Sequence, residues 1–166
     1  SKDTHRKSEK KLQNEKIFKN DGTATIIRLE NVGGGSIVNA GNLSVKELDN
    51  DAVFKNSETA SIERIINKTS GKIENSGSLT SNYSENSGLF DNQSNGFVDI
   101  SILKNQASGK VNNSGSLFLN TLIGMLVQKN YKDNTFYEIT NRHIRAGQAM
   151  CYAYFKEEKT APVHNV

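Results

Sequence analysis

Eleven asparagines between positions 20 and 113 stand two residues after a side chain that is large and apolar in ten of the eleven cases. They are Asn20, Asn31, Asn39, Asn50, Asn56, Asn67, Asn75, Asn86, Asn92, Asn105 and Asn113. Their partners two residues earlier are Phe18, Leu29, Ile37, Leu48, Phe54, Ile65, Ile73, Ser84, Phe90, Leu103 and Val111, so that Ser84, beside Tyr83, is the exception. The intervals run 11, 8, 11, 6, 11, 8, 11, 6, 13 and 8. Every second asparagine is therefore 17 to 21 residues from the last, and the chain repeats in two similar halves. The clearest copies are Ile65–Leu79, IINKTSGKIENSGSL, and Leu103–Leu117, LKNQASGKVNNSGSL.

A repeat of this length, made of short β-favouring pieces and turn residues, is the signature of a solenoid coil. Thr25–Leu29, Ser61–Ile66 and Phe97–Leu103 read as strand pieces. Gly and Asn between them are expected to supply the positive φ of tight corners. The apolar residue of each motif would point inward, and the asparagines would stack into an amide ladder along the axis. The expected fold is all-β: a single-stranded, parallel, right-handed β-solenoid of about five coils over residues 17–119. At ~4.8 Å per coil, it would be a rod on the order of 25 Å long.

The composition agrees. Hydrophobic residues make up 34% of the 166 and Trp is absent, which is too polar for an ordinary sandwich or α/β core. In a repeat array each coil needs few inward side chains, because its neighbours complete the core. Disorder is the other class so polar a chain could join, but disorder would not set an apolar residue before ten of eleven asparagines. An antiparallel array with one hairpin per half-repeat needs turn dipeptides at steady spacing. Few candidates, such as Ser87-Gly88, sit between strand-like runs.

Net charge is +3, but residues 1–19 carry +4, residues 20–119 carry −3 and residues 120–166 carry +2. A slightly acidic array is a poor surface for nucleic acid, so none is expected along the solenoid. No apolar run is long enough to span a membrane, and residues 1–19 lack the apolar core of a secretion signal. Cys151 is the sole cysteine, so no intrachain disulfide can form.

Residues 1–16 are charged and read as a polar basic tail, or a short frayed helix over Thr4–Lys16. Residues 120–166 break the repeat and read as a C-terminal cap or accessory segment. Leu117–Val127 is the most apolar run in the chain. A solenoid ends in an exposed edge that invites polymerisation unless covered. Leu119, Leu122, Ile123, Met125, Leu126 and Val127 are the candidates to cover it, or to meet another subunit.

Signals for chemistry are sparse. Cys151 is read as a buried small hydrophobe, and nothing in its spacing from His143 supports a nucleophile pair. Clusters of Cys and His are absent, and no metal or cofactor is expected. Val32-Gly-Gly-Gly-Ser36 falls at a corner of the repeat. The sharpest enzymatic reading aligns Glu74 with Asp91, and Glu30 with Asp49, on successive coils. Carboxylates ~5 Å apart match the separation of a retaining glycosidase pair. Lys55 and Lys104 in the same columns point instead to charge balance between coils.

Ile73-Glu-Asn-Ser-Gly-Ser-Leu79, Val111-Asn-Asn-Ser-Gly-Ser-Leu117 and Glu85-Asn-Ser-Gly-Leu89 resemble the repeats of filamentous-haemagglutinin-like adhesins and other large bacterial passenger domains. The resemblance covers about 60% of the chain, residues 17–119. It implies a parallel β-helix that works at the bacterial surface or after secretion, without catalysis, with self-association or a host-surface or glycan ligand as its partner. Size and the basic N-terminal segment are similar to bactofilins, which implies as alternative a cytoplasmic, polymerising filament protein. A small β-helix enzyme acting on polysaccharide is the third expectation.

Overall fold

The computed structural model describes residues 7–124 and the short strands Tyr137–Ile139 and Ile144–Ala146. The strands in chain order are β1 (Lys7–Asn14), β2 (Ile17–Asn20), β3 (Thr23–Asn31), β4 (Ser36–Asn39), β5 (Asn42–Asn50), β6 (Val53–Asn56) and β7 (Thr59–Asn67). They continue with β8 (Lys72–Asn75), β9 (Ser78–Asn86), β10 (Leu89–Asn92), β11 (Phe97–Asn105), β12 (Lys110–Asn113), β13 (Ser116–Gly124), β14 (Tyr137–Ile139) and β15 (Ile144–Ala146). The odd-numbered strands from β1 to β13 form one seven-stranded sheet, and the even-numbered strands from β2 to β12 form a six-stranded sheet. All these pairings are parallel and in register. The chain is a β-solenoid of about six turns. The antiparallel pair β14–β15 lies beside β13.

The uneven coil length has a simple cause. From β3 onward every long strand has nine residues and every short strand four. Only the corners vary. The corner after a long strand has two residues following Asn14, Asn50 and Asn86, and four following Asn31, Asn67 and Asn105. The corner after a short strand has two residues, except for four following Asn92. Insertions are thus confined to corners, where they leave the register of the sheets untouched.

Each long strand is bent. Ile26 and Leu29 are both buried, whereas Ile27 and Arg28 between them are both exposed. A regular strand alternates, so two successive outward residues mark a change of direction. A coil consequently has three runs, and each places two side chains inside. In the coil of β4 and β5 these are Ile37 and Asn39, Leu43 and Val45, then Leu48 and Asn50. Sizes are matched within coils. The coil with Phe54 holds Ala60, and the next, with Ile73, holds Leu79. The same alternation begins with Phe18 and Ala24, then Ile37 and Leu43. Close packing requires such compensation in a core one coil thick.

Three expectations are corrected. The solenoid runs from Lys7 to Gly124, not 17 to 119, with about six turns instead of five. Residues 7–14, read as tail or helix, are the first long strand. Leu12-x-Asn14 carries the repeat motif in register with Leu29 and Asn31, and Lys11 meets Glu30 outside. Most corner glycines serve space, not dihedral freedom: among the described residues only Gly34 and Gly124 have positive φ, 82° and 93°. A Cβ on Gly77 would collide with the Glu58 backbone of the preceding coil, and one on Gly41 with that of Gly22.

Candidate functional site

The asparagines form two continuous ladders. On the long strands, Nδ2 of Asn14, Asn31, Asn50, Asn67 and Asn86 each donates to Oδ1 of the next, ending at Asn105, over 2.7–2.9 Å. On the short strands Asn20, Asn39, Asn56, Asn75 and Asn92 do the same, ending at Asn113, over 2.7–2.8 Å. Ten of the twelve amides, all but those of Asn31 and Asn50, also donate to a carbonyl of the corner that follows them. Asn56 Nδ2 donates to the carbonyls of Glu58 at 3.0 Å and of Ser78 at 2.9 Å. All eleven asparagines of the sequence pattern are buried in these ladders, and all ten ladder bonds point the same way along the axis. Asn14 is the twelfth member, missed although Leu12 stands two before it.

The cap candidates separate. Leu119 is fully buried as an inward residue of β13, Leu122 is partly buried against the core, and Ile123 is half exposed. Met125, Leu126 and Val127 lie outside the described residues, as do His143 and Cys151.

The carboxylates proposed as pairs are register neighbours, Asp91 beside Glu74 and Asp49 beside Glu30. Cations hold three of the four. Lys55 reaches Glu74 at 3.1 Å, and Lys72 makes a short ion pair with it. Arg28 bridges Glu30 at 2.8 Å, Glu47 at 3.1 Å and Asp49 at 2.8 Å, while Lys11 reaches Glu30 at 3.1 Å. The Lys72 hydrogen bond, helped by Lys55, holds the Glu74 carboxyl below the ordinary range. Lys11 does the same to Glu30, with Arg28 adding to it. A general acid needs the opposite shift, upward, to carry a proton near neutral pH. Glu85 is also lowered, chiefly by Gln106 and then by Tyr83.

One coil departs from the pattern. Ser81 and Ser84 of β9 are buried where the neighbouring long strands carry Ile62 and Ile100, and Ile65 and Leu103. Ser81 Oγ donates to the Tyr83 carbonyl at 3.0 Å, and Ser84 Oγ has no partner. Outside this coil, at the bend of β7, β9 and β11, lies a polar groove of about 140 Å³. Ser61, Glu63, Thr80, Asn82, Asp99 and Ser101 line it. A second depression, of about 240 Å³, lies over β6 and β8 and includes Lys55 and Glu74, already paired to each other. Among the described residues no group of three His, Cys, Asp or Glu is placed to hold a metal ion, and no helix is long and apolar enough to cross a membrane.

No protein-family model matches the chain, and no curated protein and no solved structure is similar enough to count as a match.

Proposed function

We propose that the chain is a non-enzymatic structural and adhesive module of a bacterial surface or secreted protein, with the solenoid as a stiff rod that presents its outer faces. The observation that carries this reading is the treatment of the stacked carboxylates. Glu74, Glu30 and Asp49, where a polysaccharide-cleaving solenoid would keep its acid and nucleophile, are each neutralised by Lys or Arg across neighbouring strands. Such pairs suit an outer face kept free of like-charge repulsion between coils. The two amide ladders add stiffness without a disulfide, since a fully satisfied buried polar network fixes one register. The resemblance of the Asn-Ser-Gly corners to adhesin repeats supports a surface setting.

The test is light scattering with negative-stain microscopy over a range of protein concentrations, together with binding to bacterial and host cell surfaces. The reading expects a monodisperse short rod that binds surfaces. Long unbranched filaments that grow with concentration would overturn it in favour of a cytoskeletal protein.

A further inference from the structure

We propose that the groove at the bend of β7, β9 and β11 binds a neutral glycan chain laid across three coils. Glu63 and Asp99 accept hydrogen bonds from its hydroxyls at either side, and Asn82 bonds to it between them. The inference deepens the adhesive reading and rests on it.

The groove is where the charge pattern of the outer face stops being balanced. Glu30, Glu47, Asp49 and Glu85 on the same sheet are all engaged by Lys, Arg, Tyr or Gln. The side-chain carboxylates of Glu63 and Asp99 have no hydrogen bond or ion pair to any described residue, although the Glu63 main-chain carbonyl accepts from Ser81 Oγ at 3.5 Å. The hydroxyls of Ser61, Thr80 and Ser101 and the amide of Asn82 are likewise unengaged. Ser61, Thr80 and Asp99 stand in one straight column across the three strands. The sheet thus presents carboxylate, hydroxyl and amide side chains that no described residue engages.

The chemistry of the ligand follows from the spacing. Strands β7 and β11 are two strand spacings apart, about 10 Å. One cation, with oxygens at about 2.3–2.6 Å, cannot take both carboxylates into its shell. An extended molecule with hydroxyls along its length can meet both. Both oxygens of each carboxylate accept hydrogen bonds, and the Asn82 side chain both donates and accepts. Phe97, 40% exposed and two positions before Asp99 on the same face, offers an apolar surface beside the polar groups. That combination suits a sugar, which has C–H faces as well as hydroxyls. A basic peptide suits the place less. The Arg64 guanidinium follows Glu63 directly and stands 5.7 Å over the Tyr83 ring at the edge of the groove.

The experiment titrates the full chain with cellohexaose, chitohexaose, maltohexaose and, separately, hexalysine, following backbone amide signals by NMR below any concentration at which it associates. The expected result is that one of the neutral hexasaccharides shifts signals of residues 61–63, 80–82 and 99–101. Asp99→Ala and Asn82→Ala should each weaken it about tenfold, or ~1.4 kcal/mol, and Ser101→Trp, which fills the groove from outside, should abolish it. Asp99→Asn should keep part of the sugar binding, because the amide oxygen still accepts. Three results overturn the inference: no hexasaccharide moves these signals, sugar binding survives all the groove variants, or hexalysine binds there and Asp99→Asn removes it. Sugar binding that survives the variants removes the groove and leaves the adhesive reading standing. Filament formation removes the adhesive reading independently of the groove.

Discussion

Asn31 Nδ2 donates to Asn50 Oδ1 at 2.8 Å, and Asn50 Nδ2 donates to Asn67 Oδ1 at 2.8 Å, with all three side chains buried. Asn50 is therefore both acceptor and donor in a chain of amides that has no access to water. Asn50→Ala leaves the Asn31 donor and the Asn67 acceptor without their partner in the same step. Each stranded buried group costs about 1–3 kcal/mol, so the variant should lose about 2–6 kcal/mol in denaturant unfolding. A loss below about 0.5 kcal/mol, the size of a surface change, would mean that the ladder does not contribute as described.

Ser84 offers the opposite sign. Its hydroxyl is buried without a partner, between Ile65 and Leu103 in the neighbouring strands. Ser84→Val removes an unsatisfied group and adds apolar volume to an apolar column. The expected gain is about 1–3 kcal/mol, read as a raised thermal midpoint. A lowered midpoint would show that the site has no room for the two methyl groups.

Gly77 and Gly33 contrast a glycine that close stacking requires with one that it does not. Gly77→Ala should destabilise by about 1–3 kcal/mol, because its Cβ meets the Glu58 backbone and the coils cannot separate to admit it. Gly33→Ala meets nothing within 4 Å and should be neutral, or stabilising by about 0.4–1 kcal/mol through the unfolded chain. Equal effects in a urea titration would contradict the close stacking of the corners.

Acid should weaken the outer ion pairs. Glu30, Glu74 and Glu85 have folded pKa values below their unfolded ones. Their contribution is then complete above the unfolded Glu value of about 4.3, and is lost as pH falls through the lower folded values. The thermal midpoint should be level near neutrality and fall below about pH 4. Lys55→Met with Lys72→Met should shrink that fall by removing the two cations on Glu74. An unchanged acid profile in the double variant would place the loss elsewhere.

The repeat was legible because each coil obeys one local rule, an apolar residue and then asparagine two places on, and both point inward. Leu12-x-Asn14 obeys the rule, yet the charges around it, Lys10, Lys11 and Glu15, masked it as a tail. Lys10 and Lys11 occupy the solvent side of a strand whose inner side is Leu12 and Asn14, and Glu15 opens the corner after it, so a charged outer face hides the motif beneath it. The bend at Ile27 and Arg28 was less visible. It depends on two outward residues in succession, which a period of two cannot represent. The one irregularity in the motif, Ser84 two places before Asn86, marks a polar spot in the core and does not line the groove, which left no trace of its own in the repeat. That Glu63 and Asp99 stay unpaired could not be read from the sequence, because pairing across coils depends on side-chain reach at the bend.

The most direct test of the account is NMR of the asparagine side-chain amides, by NOE and hydrogen exchange. The ladders predict sequential contacts from Asn14 through Asn31, Asn50, Asn67 and Asn86 to Asn105, and from Asn20 through Asn39, Asn56, Asn75 and Asn92 to Asn113, with exchange far slower than for a solvated amide. Rapid exchange at all of these amides, with no contact between asparagines 17 to 21 residues apart, would contradict the solenoid itself.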